Sequence, residues 1–271
     1  MDMAWVIPIA GLGSLIIGYL VGSTSLGGFL LVPLMLIGAG VEYVQAVSIA
    51  LLAMIPGGIV AAVEYVRQRR FSWRLSLHLL MASLPGLYIG LYLSQTISSL
   101  TAQRFFGVFL LIVTGLLIRP LLSCRRESKR ALSIALMMTG DRDTSARKVL
   151  RVLLITALGL LAGAASTLAG VGGAIIFIPV LLALGMEPGK AVGTGIVTSA
   201  FIVVFGSAGH LLNLNVLPVL ISSVVTAGFL IGAVFGAKTS TYFPDALLKW
   251  FIVVLCCLSA IYFLFKPLFY S

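Results

Sequence analysis

Charged side chains are rare in this chain: Asp, Glu, Lys and Arg make up 10% of its 271 residues, while 60% are hydrophobic. A soluble domain carries roughly 25% charged and 45–50% apolar residues, so a water-soluble globule of this composition could not hide its apolar surface. Histidine is limited to His78 and His210, too far apart in sequence for an HExxH or similar metal pair. The phosphate-loop pattern G-x-x-x-x-G-K-[ST] is absent, which argues against direct drive by ATP. The three cysteines are Cys124, Cys256 and Cys257; none has metal-ligand spacing, and they read as small apolar fillers. The eight Asp and Glu residues offer no acid pair placed for hydrolysis inside a membrane. The sequence therefore calls for no catalytic residue, no metal and no cofactor, and is not that of an enzyme.

What is abundant is long apolar sequence. The runs are Ala4–Gly22, Phe29–Gly40, Val44–Val66 (containing Pro56-Gly57-Gly58), Leu75–Thr96 (containing Pro85) and Phe105–Leu122, followed by Leu150–Ala165, Ala174–Gly185, Ala191–Leu212, Pro218–Gly236 and Leu247–Phe265. Most reach the ~20 residues needed to cross ~30 Å of hydrocarbon. Met1–Trp5 carries Asp2 and no Lys or Arg, unlike the charged start of a cleaved signal peptide, so the first run is read as a retained span. The lipid bilayer is the expected environment, in an inner or plasma membrane.

The formal charge is +10, but the cations are clustered: four arginines lie in 67–74 and nine Lys and Arg in 119–151. Both clusters sit between apolar runs, where positive charge marks the cytoplasmic side. Neither is a folded basic face with aromatics, so nucleic acid is not expected as a partner.

The chain also repeats itself. Gly40-Val41-Glu42-Tyr43-Val44-Gln45-Ala46-Val47 aligns with Gly185-Met186-Glu187-Pro188-Gly189-Lys190-Ala191-Val192 at an offset of 145, and Gly86-x-x-x-Gly90 aligns with Gly228-x-x-x-Gly232 at 142. Two homologous halves follow, residues 1–122 and 150–271, joined by a basic cytoplasmic connection, 123–149. The loop Arg67–Arg74 is rich in arginine while its counterpart Leu212–Pro218 has no charge, which favours inverted over parallel halves. The expected fold is an all-α polytopic membrane protein, each half a glycine-broken helix pair followed by three transmembrane helices. The short arms either cross the membrane or form re-entrant hairpins.

The two breaks carry the functional reading. Ser23–Gly28 and Ser166–Gly173 each precede a run of barely twelve residues, and a helix that short spans only ~18 Å. Non-helical backbone at membrane depth survives only where protein or a water-filled cavity covers it, and paired interrupted segments in two halves point to a transport site. Helices starting at Phe29 and Ala174 would aim free N–H groups and positive dipole ends at the breaks, a setting for a small anion. The candidate binding residues are Ser23, Thr24, Ser25, Gly27, Gly28, Ser166, Thr167, Gly170, Gly172 and Gly173. Gln45, Ser48, Lys190, Thr194 and Thr198 are candidates for pore lining, and His210 for proton coupling. Glu42 and Glu187, at helix starts, are candidate caps.

These residues resemble a known family. Gly18-x-x-x-Gly22 with Gly27-Gly28-Phe29-Leu30-Leu31-Val32-Pro33, and Gly159-x-x-x-Gly163 with Gly170-Val171-Gly172-Gly173-Ala174-Ile175-Ile176-Phe177-Ile178-Pro179, are similar to the two repeats of the TauE/SafE (sulfite exporter) family. Lys190-Ala191-Val192-Gly193-Thr194 is similar to its Ala-x-Gly-Thr segment. The first repeat departs from the pattern, with Ser23-Thr24-Ser25-Leu26 where family members commonly carry more glycine. The resemblance implies a secondary transporter of a small sulfur-containing anion such as sulfite or a sulfonate, working by alternating access, with protons as one coupling ion. An anion channel using the same breaks as a filter is the alternative. The expected partner is a small anionic solute; the oligomeric state, homo-oligomer included, is left open.

Overall fold

The computed structural model describes residues 3–24, 28–122, 145–183, 186–213 and 219–239, together with 250, 253–254, 257–261 and 264–265. Every regular element among them is helical. The first half contains α1 (Met3–Thr24), the short α2 (Gly28–Gly38), α3 (Tyr43–Arg67), α4 (Trp73–Thr96) and α5 (Ser99–Leu122). The second contains α6 (Ser145–Ala169), α7 (Ala174–Ala183), α8 (Pro188–Asn213) and α9 (Val219–Thr239). The described positions of the last apolar run are also helical; the rest of that run, and most of the basic connection, lie outside the described residues.

Six of these helices are long and apolar enough to cross a membrane: α1, α3, α4, α6, α8 and α9. The burial pattern fits that solvent. Leu12, Ile16, Val60, Tyr88, Leu153 and Phe235 stand exposed, while Ser14, Ser48, Ser83, Ser166, Thr167, Thr194 and Thr198 are buried. Small hydroxyl residues at helix contacts and large apolar ones facing outward suit a bilayer, where close packing rather than hydrophobic burial holds helices together.

Local sequence explains where the helices begin and end. α5 starts six residues before its apolar run because Ser98 caps it: Ser98 Oγ accepts from Thr101 N at 3.3 Å, and the polar first turn that follows escapes a hydropathy reading. Pro56 does not interrupt α3, and Pro85 does not interrupt α4, as membrane helices tolerate proline. α2 ends in a π-helical turn at Gly38; just beyond it Gly40 has a left-handed φ of +65°, and Val41 N donates to Met35 O at 3.4 Å. Glu42 precedes α3 without a side-chain cap bond; Glu187, just before α8, pairs with Lys190 at 3.2 Å.

Backbone contacts at glycines fix the helix directions. A Cβ on Gly11 would meet Val224, one on Gly18 the Phe229 carbonyl and one on Gly22 the Ala233 carbonyl, so α1 and α9 run in the same direction. Gly159 against Ala82, Gly86 against Leu160 and Gly90 against Ala164 give the same for α4 and α6. α3 and α8 run oppositely: Leu51 lies near Gly206, Ala200 near Gly58, and Arg70 against Gly193. α2 runs back along α1, with Leu34 at Gly13 and Ile9 at Gly38.

These contacts also correct one alignment. Gly86 meets the Leu160 carbonyl and Gly232 meets that of Leu15; Gly90 meets Ala164 and Gly236 meets Tyr19. Leu15 and Leu160 are 145 residues apart, as are Tyr19 and Ala164. Gly86 and Gly90 thus make the same kind of contact as Gly232 and Gly236, one turn beyond the pairing expected at 142. Gly18 and Gly163 are likewise 145 residues apart, and meet the carbonyls of Phe229 and Ser83.

Candidate functional site

α8 is the most enclosed of the six long helices: 67% of its span is buried, against 33–39% for the others. It packs antiparallel on α3, and the midpoints of the two helices carry Met54 and Ser199. Both breaks converge there. A Cβ on Gly28, the first residue of α2, would stand 2.5 Å from Met54 Cε and 2.9 Å from its Sδ. A Cβ on Gly172 would stand 2.8 Å from Ser199 Oγ and 2.9 Å from the same Met54 Cε. Gly170 approaches from above, its would-be Cβ 2.7 Å from Val32 Cγ2 of α2 and 3.3 Å from Val47 Cα of α3.

The second break is shorter than its sequence suggested. α6 continues through Ser166 and Thr167 to Ala169, so those two residues occupy its last turn rather than the gap, which is confined to residues 170–173. Gly170 ends the helix in the left-handed region, φ +66°, with its N–H on the Ser166 carbonyl at 2.9 Å. At the other side Gly173 O accepts from Ile176 N and Phe177 N, both at 3.0 Å, and opens α7. A Cβ on Gly173 would face Phe177 and Ile202 rather than Met54. In the first break, Ser23 and Thr24 belong to the last turn of α1, while Ser25 and Gly27 lie outside the described residues.

An interrupted helix leaves carbonyls without helical partners. Here two long side chains take them up, one from each half. His210 Nε2 donates to Thr167 O at 2.8 Å, and Tyr43 OH donates to Leu168 O at 2.7 Å. Both residues are 1% exposed. Tyr43 is further held edge-on by Phe106, ring centroids 6.4 Å apart. His210, a candidate for proton coupling on sequence grounds, thus also has a structural task at the break.

The remaining polar candidates are engaged elsewhere. Ser48 donates to Val44 O at 2.7 Å and Thr198 to Thr194 O at 2.8 Å, each back-bonded within its own helix. Thr194 Oγ1 accepts from Ser72 N at 3.0 Å, which pins the arginine-rich loop to α8. Thr167 Oγ1 donates to Leu87 O at 3.1 Å and ties α6 to α4. Ser166 Oγ is buried with no partner. Gln45 and Lys190 stand in the first turns of the antiparallel α3 and α8, hence at opposite ends of the helix pair. Lys190 is exposed beside Glu187. No group of His, Cys, Asp and Glu suited to a metal occurs among the described residues.

Sequence reasoning passed over Met54, Ser199 and Tyr43. A methionine in an apolar run reads as core, and the 145-residue step from Met54 to Ser199 joins every other aligned pair as well, so it marks neither residue.

Six bilayer-length helices, with Gly28 and Gly172 meeting at Met54, define a multi-pass membrane protein. Comparison with known proteins gives the family: the sequence matches the family model "Sulfite exporter TauE/SafE" over residues 9–263, so the chain belongs to the TauE/SafE family. It is similar to the "Probable membrane transporter protein YunE" of Bacillus subtilis (strain 168), 24% identical over 220 residues, covering 77% of this chain and 78% of that one. A shorter likeness, 45% identity over 56 residues, joins it to the "Probable membrane transporter protein YjnA" of the same organism, covering 21% of this chain and 22% of the relative. No solved structure matches.

Proposed function

We propose that this TauE/SafE transporter moves a small, sulfur-containing anion such as sulfite or a sulfonate by secondary, alternating-access transport, with the solute bound between the two glycine breaks. The observation that carries the reading is the convergence of Gly28 and Gly172 on one side chain, Met54, at the midpoint of α3. The first amides of α7 have no acceptor within their helix, and the positive ends of α2 and α7 meet at the gap, which favours an anion without any buried Lys or Arg. Ser166 Oγ adds an uncommitted hydroxyl on the last turn of α6.

The halves are read as inverted repeats. Counterparts α3 and α8 run oppositely, and α1 pairs with α9 as α6 pairs with α4. A repeat related by an axis along the membrane normal would keep counterparts parallel; an axis in the membrane plane reverses them. The half-length α2, which turns back along α1, then acts as a re-entrant arm. The basic segments 67–74 and 119–151 are assigned to the cytoplasmic side by their charge. Rocking of one half against the other about the α3–α8 contact would expose the gap to each side in turn, and a proton is the proposed coupling ion.

The test is uptake of labelled sulfite and methanesulfonate into proteoliposomes. Gly28→Val and Gly172→Val are expected to lower it at least ~10-fold, since a misplacement of about 1 Å at a site can cost far more than its contacts suggest. Full uptake by both variants, with unaltered elution and helicity, would overturn the site.

A further inference from the structure

The gap has two unlike walls. Met54 and Ser199 occupy the same step of the repeat, at the midpoints of α3 and α8, and both border Gly172. A duplication alone would give matching side chains at matching positions. Instead, one wall ends in a flexible thioether and the other in a short hydroxyl. Met54 also supplies the three atoms nearest a Cβ on Gly28, so its terminal methyl borders both breaks. Met54 is half-buried, whereas Ser199 is 7% exposed. The Met54 methyl thus borders Gly28 and Gly172, and Ser199 borders Gly172.

We infer that Met54 is the constriction of the transport gap and sets the size of anion admitted to Ser199, which with the Gly172 backbone forms the polar face beyond it. This rests on the reading of the breaks as the transport site and adds to it a specificity-determining pair. The glycines set where the backbone parts; the thioether sets how wide the opening is. Methionine suits the task because its unbranched chain changes rotamer readily and presents no hydrogen-bonding group strong enough to hold an anion. A constriction of this kind discriminates by bulk, and one methylene in a tight pocket is worth ~10-fold or more.

The test needs no knowledge of the substrate. Ser199→Cys is placed in a chain whose Cys124, Cys256 and Cys257 are replaced by serine, and full-length protein in proteoliposomes is treated with the anionic thiol reagent 2-sulfonatoethyl methanethiosulfonate. Residue 54 is kept as Met or changed to Ser, Leu or Phe, and the thermal stability of each variant is recorded. The expected result is that the introduced thiol is modified in the Met54 background, about tenfold faster with Met54→Ser and at least tenfold slower with Met54→Phe, with Leu close to Met. Modification at one rate whatever residue 54 is would overturn the constriction and leave the site standing. A thiol at position 199 that stays unmodified in every variant, Met54→Ser included, would show that no aqueous anion reaches the gap, and would overturn the site reading along with this one.

Discussion

Tyr43→Phe is the most informative single change, because it removes one oxygen and nothing else. The ring is 1% exposed and its edge-on contact with Phe106 survives the substitution. What goes is the 2.7 Å bond to Leu168 O, one of the carbonyls that α6 leaves open where it stops at Ala169. An average buried hydrogen bond contributes about 1 kcal/mol net, but a buried acceptor left without a donor costs about 1–3 kcal/mol. Polar bonds inside membrane proteins average nearer ~0.6 kcal/mol, with a maximum of ~1.7, because the unfolded chain in the bilayer also finds partners. Two considerations place this one at the upper end. Its acceptor is backbone at a fixed break, and the donor comes from 125 residues away, so local rearrangement cannot replace it. The expected loss is therefore ~1–2 kcal/mol, measured by reversible unfolding in bicelles. His210→Phe should lose a similar amount by freeing Thr167 O, and the double variant should lose less than the sum, since both bonds hold the same turn. A Tyr43→Phe protein within ~0.3 kcal/mol of wild type, or strict additivity with His210→Phe, would refute the idea that the two side chains together hold the broken helix end.

Other outcomes follow from the same contacts. Gly170→Ala should destabilise by ~1–2 kcal/mol from its left-handed φ alone, and by more because the new methyl meets Val32; Gly115→Ala, with nothing within 4 Å, should be neutral in the same unfolding assay. Gly86→Leu should separate α4 from α6 and abolish stable expression, as read by fluorescence-detected size exclusion, because its side chain would enter the Leu160 backbone. Thr194→Val should leave Ser72 N without its acceptor, and hydrogen exchange of that amide should accelerate at least ~10-fold while helix α8 stays protected. Lys190→Gln should change stability by no more than ~0.5 kcal/mol, since its pair with Glu187 is solvent-exposed.

The long helices were legible because hydropathy reports directly on the solvent they face. Their ends were less so. The apolar run that begins at Phe105 hides a polar first turn set by Ser98, and Ser166-Thr167 reads as the start of a break because hydroxyl residues compete for backbone bonds in water. Inside the bilayer such hydroxyls bond carbonyls without ending the helix, as Ser48 and Thr198 do. Thr167 gives its proton to Leu87 O of the neighbouring helix, and α6 runs on until Gly170 allows it to stop. Because α9 carries Gly228, Gly232 and Gly236 at equal spacing, Gly86 and Gly90 fit two registers equally well in sequence; on the proposed repeat, the contacts with the Leu15 and Leu160 carbonyls favour the one that is a turn further on. The meeting of the breaks could be anticipated from the repeat, but the side chain between them could not, since nothing in an apolar run distinguishes a methionine in a gap from one in a core.

The central claim is that two breaks far apart in sequence adjoin each other inside the membrane. Gly28→Cys and Gly172→Cys, combined with Met54→Ala to make room in a chain lacking its native cysteines, test it most directly. Both positions border the same Met54 methyl, at 2.5 and 2.9 Å, so their Cβ atoms stand at most 5.4 Å apart, a span that takes in the ~3.5–4.5 Å of a disulfide. Oxidation in proteoliposomes should yield an intramolecular link between residues 28 and 172, identified by mass spectrometry of the joined peptides. Two thiols that each react with a single-ended reagent yet never link, even through a short bifunctional one, would contradict the account.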